Sequence, residues 1–461
     1  MLDPDLAAEV LRAALARGGR FADLFVEERG SSSVHLDDGK VEELTTGLDR
    51  GAGVRVIDGE SQAYAHTNRW DRESLLRTAS AAAAAASGRP AGTTVLDFTP
   101  VELTVRHEAR VPRDSVPAER RVEWVREADE TARAHSGEVR QVTVSFADSE
   151  QRILVANSEG LWAEERRPRV RLFVQVVATR DGVIQTGYKG PGGLCGLELL
   201  ERYPPAETAR EAARQAVTML DGVPAPAGEM PVVIGPGGGG VLFHEACGHG
   251  LEADIVQKEA SIYRGKLGQT LASSLVTGVE DATLPNAWGS YGVDDEGVPS
   301  TRTVLFDRGV LTDYLYDRVR AEVAGVASNG HGRRQSYAHL PIPRMANSHI
   351  LPGDDDAAAI IAGTERGLYC GQLGGGQVNP ATGDFVFGVR EAYLIENGEL
   401  TKPARGANLI GQGQTILSLV DAVADDFEEF HGVCGKDGQG VPVSNGSPTL
   451  RITRMTVGGT G

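Results

Sequence analysis

This chain of 461 residues has few cysteines, few aromatic residues, and an excess of acidic over basic residues. Four cysteines are too few for a disulfide framework in a chain of this length, so we expect a reducing compartment. The formal net charge is −18, with 64 acidic and 46 basic residues. A surface of this sign repels phosphate backbones, so we expect no nucleic-acid partner.

Long hydrophobic runs are also lacking. The longest apolar runs have six residues, such as the alanines at 81–86, and a membrane helix needs about 20. The first residues, MLDPDLAAEVLRAALARGG, form an amphipathic pattern with early acids, without the basic start and apolar core of a signal peptide. We therefore expect a cytoplasmic protein with no membrane partner.

Tight-turn dipeptides lie between alternating or apolar runs at four places. Such dipeptides favour two-residue hairpin turns, because their residues tolerate a left-handed backbone. The clearest case, VRLFVQVVATRDGVIQTGY, predicts two antiparallel strands within residues 170–188. The four dipeptides are Asp38-Gly39, Asp58-Gly59, Asp181-Gly182 and Asn397-Gly398.

Helical periodicity occurs in six segments that do not alternate one for one with the strands. Clustered strands indicate an α+β fold and not a doubly wound α/β sheet. The length calls for two domains, and the proline-rich stretch Val223 to Pro231 is the best linker, with a weaker break at residues 88–94. We predict domains at residues 1–225 and 226–461. The helical segments are residues 4–17, 71–86, 117–135, 206–220, 241–254 and 414–426.

The segment after this linker has the residue types of a metal site. A short apolar strand, PVVI, and a glycine turn precede a helix that carries His244, Glu245 and His249. This H-E-x-x-x-H pattern is one residue longer than the zincin H-E-x-x-H, in which the histidines bind zinc and the glutamate is the general base. The pattern predicts His244 and His249 as ligands and Glu245 as base.

A regular α-helix does not place both histidines on one face, because residues i and i+5 lie about 140° apart. A π-type turn would bring them together, and Gly248 and Gly250 make such a distortion easier. A regular helix would instead pair Glu245 with His249 and leave His244 outside. We prefer the distorted helix, because zinc in this role favours imidazole over carboxylate.

Two histidines do not complete a catalytic zinc site, which has three protein ligands and one open position. Cys434 is the preferred third ligand, because a thiolate binds zinc strongly and its loop, HGVCGKDGQG, has glycines that allow close approach. The sequence leaves three alternatives open. They are Glu252, Asp254 and His431.

The other cysteines and a second glycine motif have simpler explanations. Cys247 lies on the far side of the helix from His249 and is expected to pack, as are Cys195 and Cys370, which show no ligand spacing. The glycines of GPGGGG match the dinucleotide fingerprint, but no second parallel strand ending in an acid follows near residue 260. We expect these glycines to let the motif helix pack closely.

Five segments occur in one order in this chain: HEACGHGLEAD, NAWGSYGVDDEGVPSTRTVLFDRGVL, RRQSYAHLPIPRMANS, GGGQVNPATGDFVFGVREAYLIENG and VCGKDGQGVPVSNGSPTLRITRMTVGGT. Together they resemble the TldD/PmbA family of metallopeptidases. They cover most of residues 231–461, and the N-terminal half resembles the family more diffusely through LDDGKVEELTTGLDRGAGVRV. The family includes subunits that lack the H-E-x-x-x-H, so His244, Glu245 and His249 assign this chain to the metal-bearing TldD type.

This resemblance implies an N-terminal α+β domain with an antiparallel sheet and a mainly β C-terminal domain that carries the metal-binding helix. It implies one Zn²⁺ per chain, with Cys434, in the family's cysteine loop, as the third ligand. It also implies cleavage of unfolded peptides. The family acts as dimers, so the expected partner is a second copy or a PmbA-type paralogue.

We therefore predict a zinc metallopeptidase that hydrolyses unfolded or extended peptides, with Glu245 as general base. The glycines at 374–376, followed by Gln377 and Val378, suit an extended peptide pairing with a strand edge, although a plain glycine turn explains them equally well. Two other functions stay open. One is a non-catalytic binding or assembly subunit with a structural metal, and the other is a metal-dependent hydrolase of a non-peptide amide or ester.

Overall fold

The computed structural model describes residues 1–86 and 94–459, so most of the weaker break predicted at residues 88–94 lies outside the described residues. The N-terminal helices are α1 (Pro4–Ala14), α2 (Arg72–Ala85), α3 (Ala118–His135), α4 (Leu199–Arg202) and α5 (Pro205–Thr218), with short 3₁₀ helices at Arg113–Ser115 and Met219–Asp221. The N-terminal strands are β1 (Phe21–Asp37), β2 (Lys40–Asp58), β3 (Ser61–Thr67), β4 (Thr99–Pro100), β5 (Val139–Asn157), β6 (Leu161–Arg180), β7 (Val183–Lys189) and β8 (Gly192–Gly193).

These strands form one sheet with the order β3-β2-β1-β5-β6-β4, and β7 and β8 also pair with β6. All pairs are antiparallel except β4 with β6. Three of the predicted hairpin turns here join β1 to β2, β2 to β3 and β6 to β7. Asp38 and Asp181 have positive φ, as the tight turns require. The four helical segments predicted in this region correspond to α1, α2, α3 and α5.

Two apolar clusters join the helices to the N-terminal sheet. One lies between α1, α2 and the strand ends around Leu24 and Val54, and the other between α3, α5 and residues such as Phe146 and Val174. Along β6, buried side chains alternate with partly exposed ones from Val170 to Ala178. The alternating pattern of the sequence predicted this arrangement. None of the described helices is long and apolar enough to cross a membrane.

The rest of the chain is mainly β structure. Its helices are α6 (Gly238–Ala246), α7 (Ala253–Gln257), α8 (Arg318–Ala324), α9 (Ala357–Ala362) and α10 (Gly413–Ser418), with a 3₁₀ helix at Gly248–Leu251. Its strands are β9 (Val223–Pro224), β10 (Gly228–Ile234), β11 (Gly278–Asp281), β12 (Arg302–Asp307), β13 (Val310–Leu311), β14 (Gly332–Arg333), β15 (Ile342–Pro343), β16 (Asn347–Ile350), β17 (Arg366–Val378), β18 (Asp384–Glu396), β19 (Glu399–Arg405), β20 (Asn408–Gln412), β21 (Val420–Val423), β22 (Glu428–Lys436), β23 (Gln439–Ser447) and β24 (Leu450–Gly458).

Two sheets enclose α6. One has the order β17-β10-β24-β20-β18-β19-β9, and the other has the order β13-β12-β11-β16-β23-β22. Between them lies the largest apolar cluster, which includes Leu242 and Phe243 of α6. The protein is therefore α+β, as the clustered strands predicted. This arrangement holds the motif helix between two sheets.

The structure differs from two predictions in this region. The stretch predicted as a linker contains β9, which pairs with β19, and the start of β10, so only residues 225–227 of it lie outside strands. The segment predicted as a helix at 414–426 is helical only to Ser418, and β21 follows it because Val420 and Val423 pair with β24. Tertiary pairing overrides local periodicity there. The boundary between residues 225 and 226 stays a prediction.

Candidate metal centre

Helix α6 lies flat on β23 because its first turn consists of glycines. A Cβ on Gly240 would overlap the backbone nitrogen of Gly446, and a Cβ on Gly239 would crowd the side chains of Leu450 and Ser447. The N-cap residue, Gly237, has a φ of +82°, which a larger side chain adopts only with strain. The glycines thus allow the close packing expected for them.

The two motif histidines converge because α6 ends between them. Cys247 leaves the helical region with φ −125° and ψ −52°, and a 3₁₀ helix starts at Gly248. The imidazole rings of His244 and His249 then lie 5.2 Å apart, centre to centre. The π-type turn was a wrong prediction. The α-helix instead ends before Cys247, and the more tightly wound 3₁₀ helix follows it. Gly248 packs against Met345 there.

Cys434, on β22, completes the cluster. One ligand atom from each of His244, His249 and Cys434 lies within 4.8 Å of the other two, and no other such group occurs among the described residues. The sulfur of Cys434 lies 3.5 Å from Nε2 of His249. Of the open alternatives, Glu252 and Asp254 lie outside this group, and His431 lies 3.8 Å from Glu429.

A buried charge network orients His249. Its Nδ1 lies 3.1 Å from a carboxylate oxygen of Glu252, which leaves Nε2 for the cluster. Lys436 lies 3.1 Å from the same oxygen and 2.7 Å from Asp254, and it also donates to the carbonyl of Pro343. A carboxylate behind a histidine is the usual arrangement around protein metal ions. Lys436 could have been found from sequence, since it lies two residues after Cys434 and so on the same strand face.

A second chain of contacts orients His244. Its Nδ1 lies 3.1 Å from the hydroxyl of Ser348, which donates at 2.8 Å to Glu280. Glu280 also accepts from the backbone N–H of Ala346. All of these side chains are buried. Sequence reasoning missed Ser348 and Glu280, because nothing in their local pattern connects them with a helix that precedes them by more than 30 residues.

The cluster favours a thiolate beside its two imidazoles. Burial acts to raise the pKa of Cys434, but His244 and His249 outweigh it and lower this pKa to about 4. Burial acts to lower the pKa of both histidines, and Cys434 together with Glu252 and Glu245 raises them. By contrast, burial raises the pKa of Cys195 and Cys247 to about 12, and the pKa of Cys370 shifts in the same direction. The thiolate is thus confined to Cys434.

The donor set fits zinc. Two imidazole nitrogens and a thiolate are a three-ligand set of the kind that catalytic zinc uses, with a fourth position left for water or substrate. Nδ1 of His244 contacts Ser348 and Nδ1 of His249 contacts Glu252, so the Nε2 atom of each ring remains for a metal. Buried carboxylates near three donors also favour a cation.

Glu245 lies at the exposed side of this cluster. Its carboxylate is 3.9 Å from Nε2 of His249, and its side chain is 28% exposed, whereas His244 is buried. Val241, one helical turn earlier, lines a cavity of about 470 Å³ together with Phe430 of β22 and Tyr188 of β7. Glu245 itself does not line this cavity, and its partly exposed carboxylate is the side of the cluster that solvent reaches.

One strand edge also runs beside α6. Strand β17 pairs with β10 only from Leu368 to Cys370, and from Gly371 to Val378 its described partner is β18 alone. Leu373 of this segment lies against Gly238 of α6. The glycines at 374–376 are thus part of a bulged edge strand and not a plain turn. Such an edge can accept the backbone of an extended peptide.

Three family models match the chain. They are described as the PmbA/TldA metallopeptidase domain 1, central domain and C-terminal domain, and they match residues 22–86, 112–220 and 227–459. A protein named "Metalloprotease TldD homolog" from Haemophilus influenzae is 41% identical over 448 residues, which cover 95% of this chain and 93% of that protein. A protein named "Metalloprotease" from Methanothermobacter thermautotrophicus is 36% identical, with 95% and 96% covered.

Solved structures share the fold. A protein described as a putative modulator of a DNA gyrase, from Thermotoga maritima, has a TM-score of 0.81 at 20% identity and covers 95% of this chain and 96% of its own. TldE from Thermococcus kodakarensis has a TM-score of 0.77 at 19% identity, with 98% and 99% covered.

Proposed function

This chain belongs to the TldD/PmbA metallopeptidase family, and we propose that it is a zinc-dependent peptidase acting on unfolded or extended peptides. One observation carries the proposal: His244, His249 and Cys434 offer three ligand atoms within 4.8 Å of one another, with Glu245 at the accessible side. His244, His249 and Cys434 would hold one zinc ion. Zinc bound there supplies Lewis acidity that activates water and polarises a peptide carbonyl.

The protein side chains supply positioning and proton transfer. Glu245 accepts the proton of the attacking water on a carboxylate oxygen and passes it to the nitrogen of the leaving amine. Glu252 and Ser348 fix the ring orientation of the two histidines through Nδ1. Because Glu245 is not itself a ligand, its removal separates proton transfer from metal binding.

The free edge of β17 supports an extended peptide substrate. Residues 371–378 have β18 as their only described strand partner, and Leu373 lies against Gly238 at the start of α6, the helix that carries His244 and Glu245. Backbone pairing selects an extended conformation with little regard to side chains. This property suits unfolded chains and excludes folded ones, which do not offer a free strand.

The proposal includes a cytoplasmic location and a dimer, with either a second copy or a PmbA-type paralogue. All four cysteines are free and buried, which suits a reducing compartment. The family resemblance motivates the dimer. The excess of negative charge supports the absence of a nucleic-acid partner.

Metal analysis combined with a peptide digest tests the proposal. Purified protein should contain one zinc per chain and cleave denatured casein and a library of unfolded peptides, while leaving native folded proteins intact. A chelator should abolish cleavage, and added zinc should restore it. Zinc without cleavage would instead favour a structural metal, and hydrolysis restricted to non-peptide amides or esters would favour the other alternative.

A further inference from the structure

Cys434 lies on a strand that has a neighbouring strand on one side only. Among the described residues, β22 pairs with β23 alone, from Glu428 to Lys436. The turn that joins the two strands is tight, with positive φ at Asp437 and Gly438. A strand at the edge of a sheet has one row of backbone groups that no strand pairs with. The position of the thiol therefore depends on the side chains that hold this hairpin.

The guanidinium of Arg344 holds both strands of the hairpin. It donates to the carbonyl of Cys434 at 2.6 Å and to the carbonyl of Gln439 at 3.1 Å. The first of these residues lies in β22 and the second in β23, close to the turn. A charged donor makes stronger hydrogen bonds than a neutral one, and the planar fork of arginine can serve two acceptors at once. One of the two contacts is thus made to the predicted ligand residue itself.

The backbone of Arg344 is fixed in its turn by His331. The N–H of Arg344 donates to the carbonyl of His331 at 3.0 Å, and Nδ1 of His331 donates to the carbonyl of Arg344 at 3.1 Å. The two residues flank the paired strands β14 and β15, and both are fully buried. Arg344 therefore reaches the hairpin from a segment whose own backbone is paired on both sides.

A contribution to stability alone does not account for Arg344. Its hydrogen-bond partners are the two carbonyls, its Nε has no partner, and no carboxylate of the described residues forms an ion pair with it. Its charge acts on Glu252 without a hydrogen bond. Burying a charge without a paired counter-ion costs stability, and an apolar side chain of similar size is often less costly. What the guanidinium adds is a fixed position for the carbonyl of Cys434.

We propose that Arg344 is a positioning residue of the metal centre, which fixes the hairpin of β22 and β23 so that the sulfur of Cys434 stays beside His244 and His249. Without it the end of the hairpin becomes free to open, and the sulfur loses its place 3.5 Å from Nε2 of His249. This role rests on the proposed zinc site. The position of Cys434 can nevertheless be measured with no metal present, so the two proposals can fail separately.

Alkylation of the cysteines in the chelated full-length protein tests the positioning. Mass spectrometry gives the labelling rate of each thiol. Arg344→Met should raise the rate at Cys434 about tenfold or more, because the hairpin opens locally more often. The rates at the other three buried cysteines should stay within about twofold of the wild type, since local opening of the hairpin does not reach them.

Arg333→Met is the matched control. Arg333 is also buried and also donates to two backbone carbonyls, those of Met345 and Pro442, but neither of them lies in β22. Its replacement should lower the stability of the chelated protein in urea and leave the labelling of Cys434 within about twofold of the wild type. The comparison separates a general loss of stability from a loss of position at the thiol.

Metal binding gives the second measurement. Zinc affinity should fall about 10- to 100-fold in Arg344→Met, as for other residues that orient a metal ligand. The cobalt-loaded variant should also lose part of the charge-transfer absorption that a bond between thiolate and cobalt(II) produces. Arg333→Met should keep both the affinity and the absorption.

Arg344→Lys decides the matter if Arg344→Met does not fold. Lysine keeps the buried charge but is a point donor without the fork, so labelling of Cys434 should lie between the wild type and Arg344→Met, about threefold or more above the wild type. Wild-type labelling in Arg344→Lys, or an equal rise in Arg333→Met, would overturn the proposal. If the wild type binds no zinc and labelling still rises in the Arg344 variants, the positioning stands and the proposed function fails.

Discussion

The ammonium of Lys436 lies 3.1 Å from the oxygen of Glu252 that faces His249, and both side chains are buried. Lys436, His249 and Arg344 outweigh the effect of burial and lower the pKa of Glu252 to about 2. Glu252 therefore stays ionised and holds Nδ1 of His249. A cation two residues beyond Cys434 thus links the thiol-bearing strand to the histidine-bearing turn.

Replacing Lys436 should weaken zinc binding without removing a ligand. In Lys436→Met the buried carboxylate of Glu252 loses its cation and His249 loses its fixed orientation, so zinc affinity should fall about 10- to 100-fold. The matched control is Lys258→Met, because Lys258 also pairs with Asp254 but is 65% exposed. Competition with a chelating dye measures the zinc affinity of both variants. Equal affinity in the two variants would show that Lys436 does not position His249.

Glu245→Gln should keep the metal and lose peptidase activity. The amide cannot accept the proton of the attacking water, so kcat should fall about 10²- to 10⁴-fold. Elemental analysis and cleavage of an unfolded peptide give the two readouts. Loss of zinc from this variant would favour the arrangement in which Glu245 and His249 bind the metal.

Cys434→Ser should weaken metal binding far more than serine at the other three cysteines. Serine keeps the size of the side chain but is a much weaker zinc ligand, so a packing loss cannot imitate the effect. The same change should lower the thermal stability of the zinc-bound protein and hardly that of the chelated protein. Zinc titration of all four variants decides the matter. Unchanged affinity in Cys434→Ser would exclude this cysteine and return attention to Glu252 or His431.

Gly240→Ala should destabilise the protein by about 1–3 kcal/mol or more, because the new Cβ overlaps the backbone of Gly446 and neither backbone can move freely. Gly375→Ala is the control, since its Cβ would meet nothing within 4 Å. Urea unfolding of chelated protein compares the two. A Gly240→Ala protein as stable as the control would mean that α6 does not lie as close to β23 as the structure shows.

Stability should fall in mild acid because of His331. Burial is the main cause that lowers its pKa to about 4, whereas an unfolded histidine has a pKa of about 6.5. The unfolded chain thus binds a proton that the folded protein does not, so stability is full above pH 6.5 and is lost as the pH falls toward 4. His331→Asn should reduce this slope, and His135→Asn, at an exposed site, should not. Urea midpoints between pH 4 and 7 measure how stability depends on pH in the wild type and the two variants. An equal dependence in all three proteins would contradict the role of His331.

Local chemistry in the sequence determined much of the fold. Turn dipeptides such as Asp38-Gly39 and Asp181-Gly182 define hairpins because few residues adopt a left-handed backbone, and helical periodicity located α1, α2, α3 and α5 within a few residues. Helical periodicity gave a wrong prediction at residues 420–423, where pairing with β24 decides the structure. The residue types of His244, Glu245 and His249 also identified the candidate site from their spacing alone, because few other combinations suit a metal and a base.

Tertiary structure alone decided how these residues meet. The break at Cys247 that aligns the histidines depends on packing of Gly248 against Met345, a residue almost 100 positions away. Ser348 and Glu280 have no local signal, because their roles arise from strands that only the folded sheets bring together. Sequence periodicity reports which face of a segment is apolar, but the partner that covers that face is a property of the whole fold.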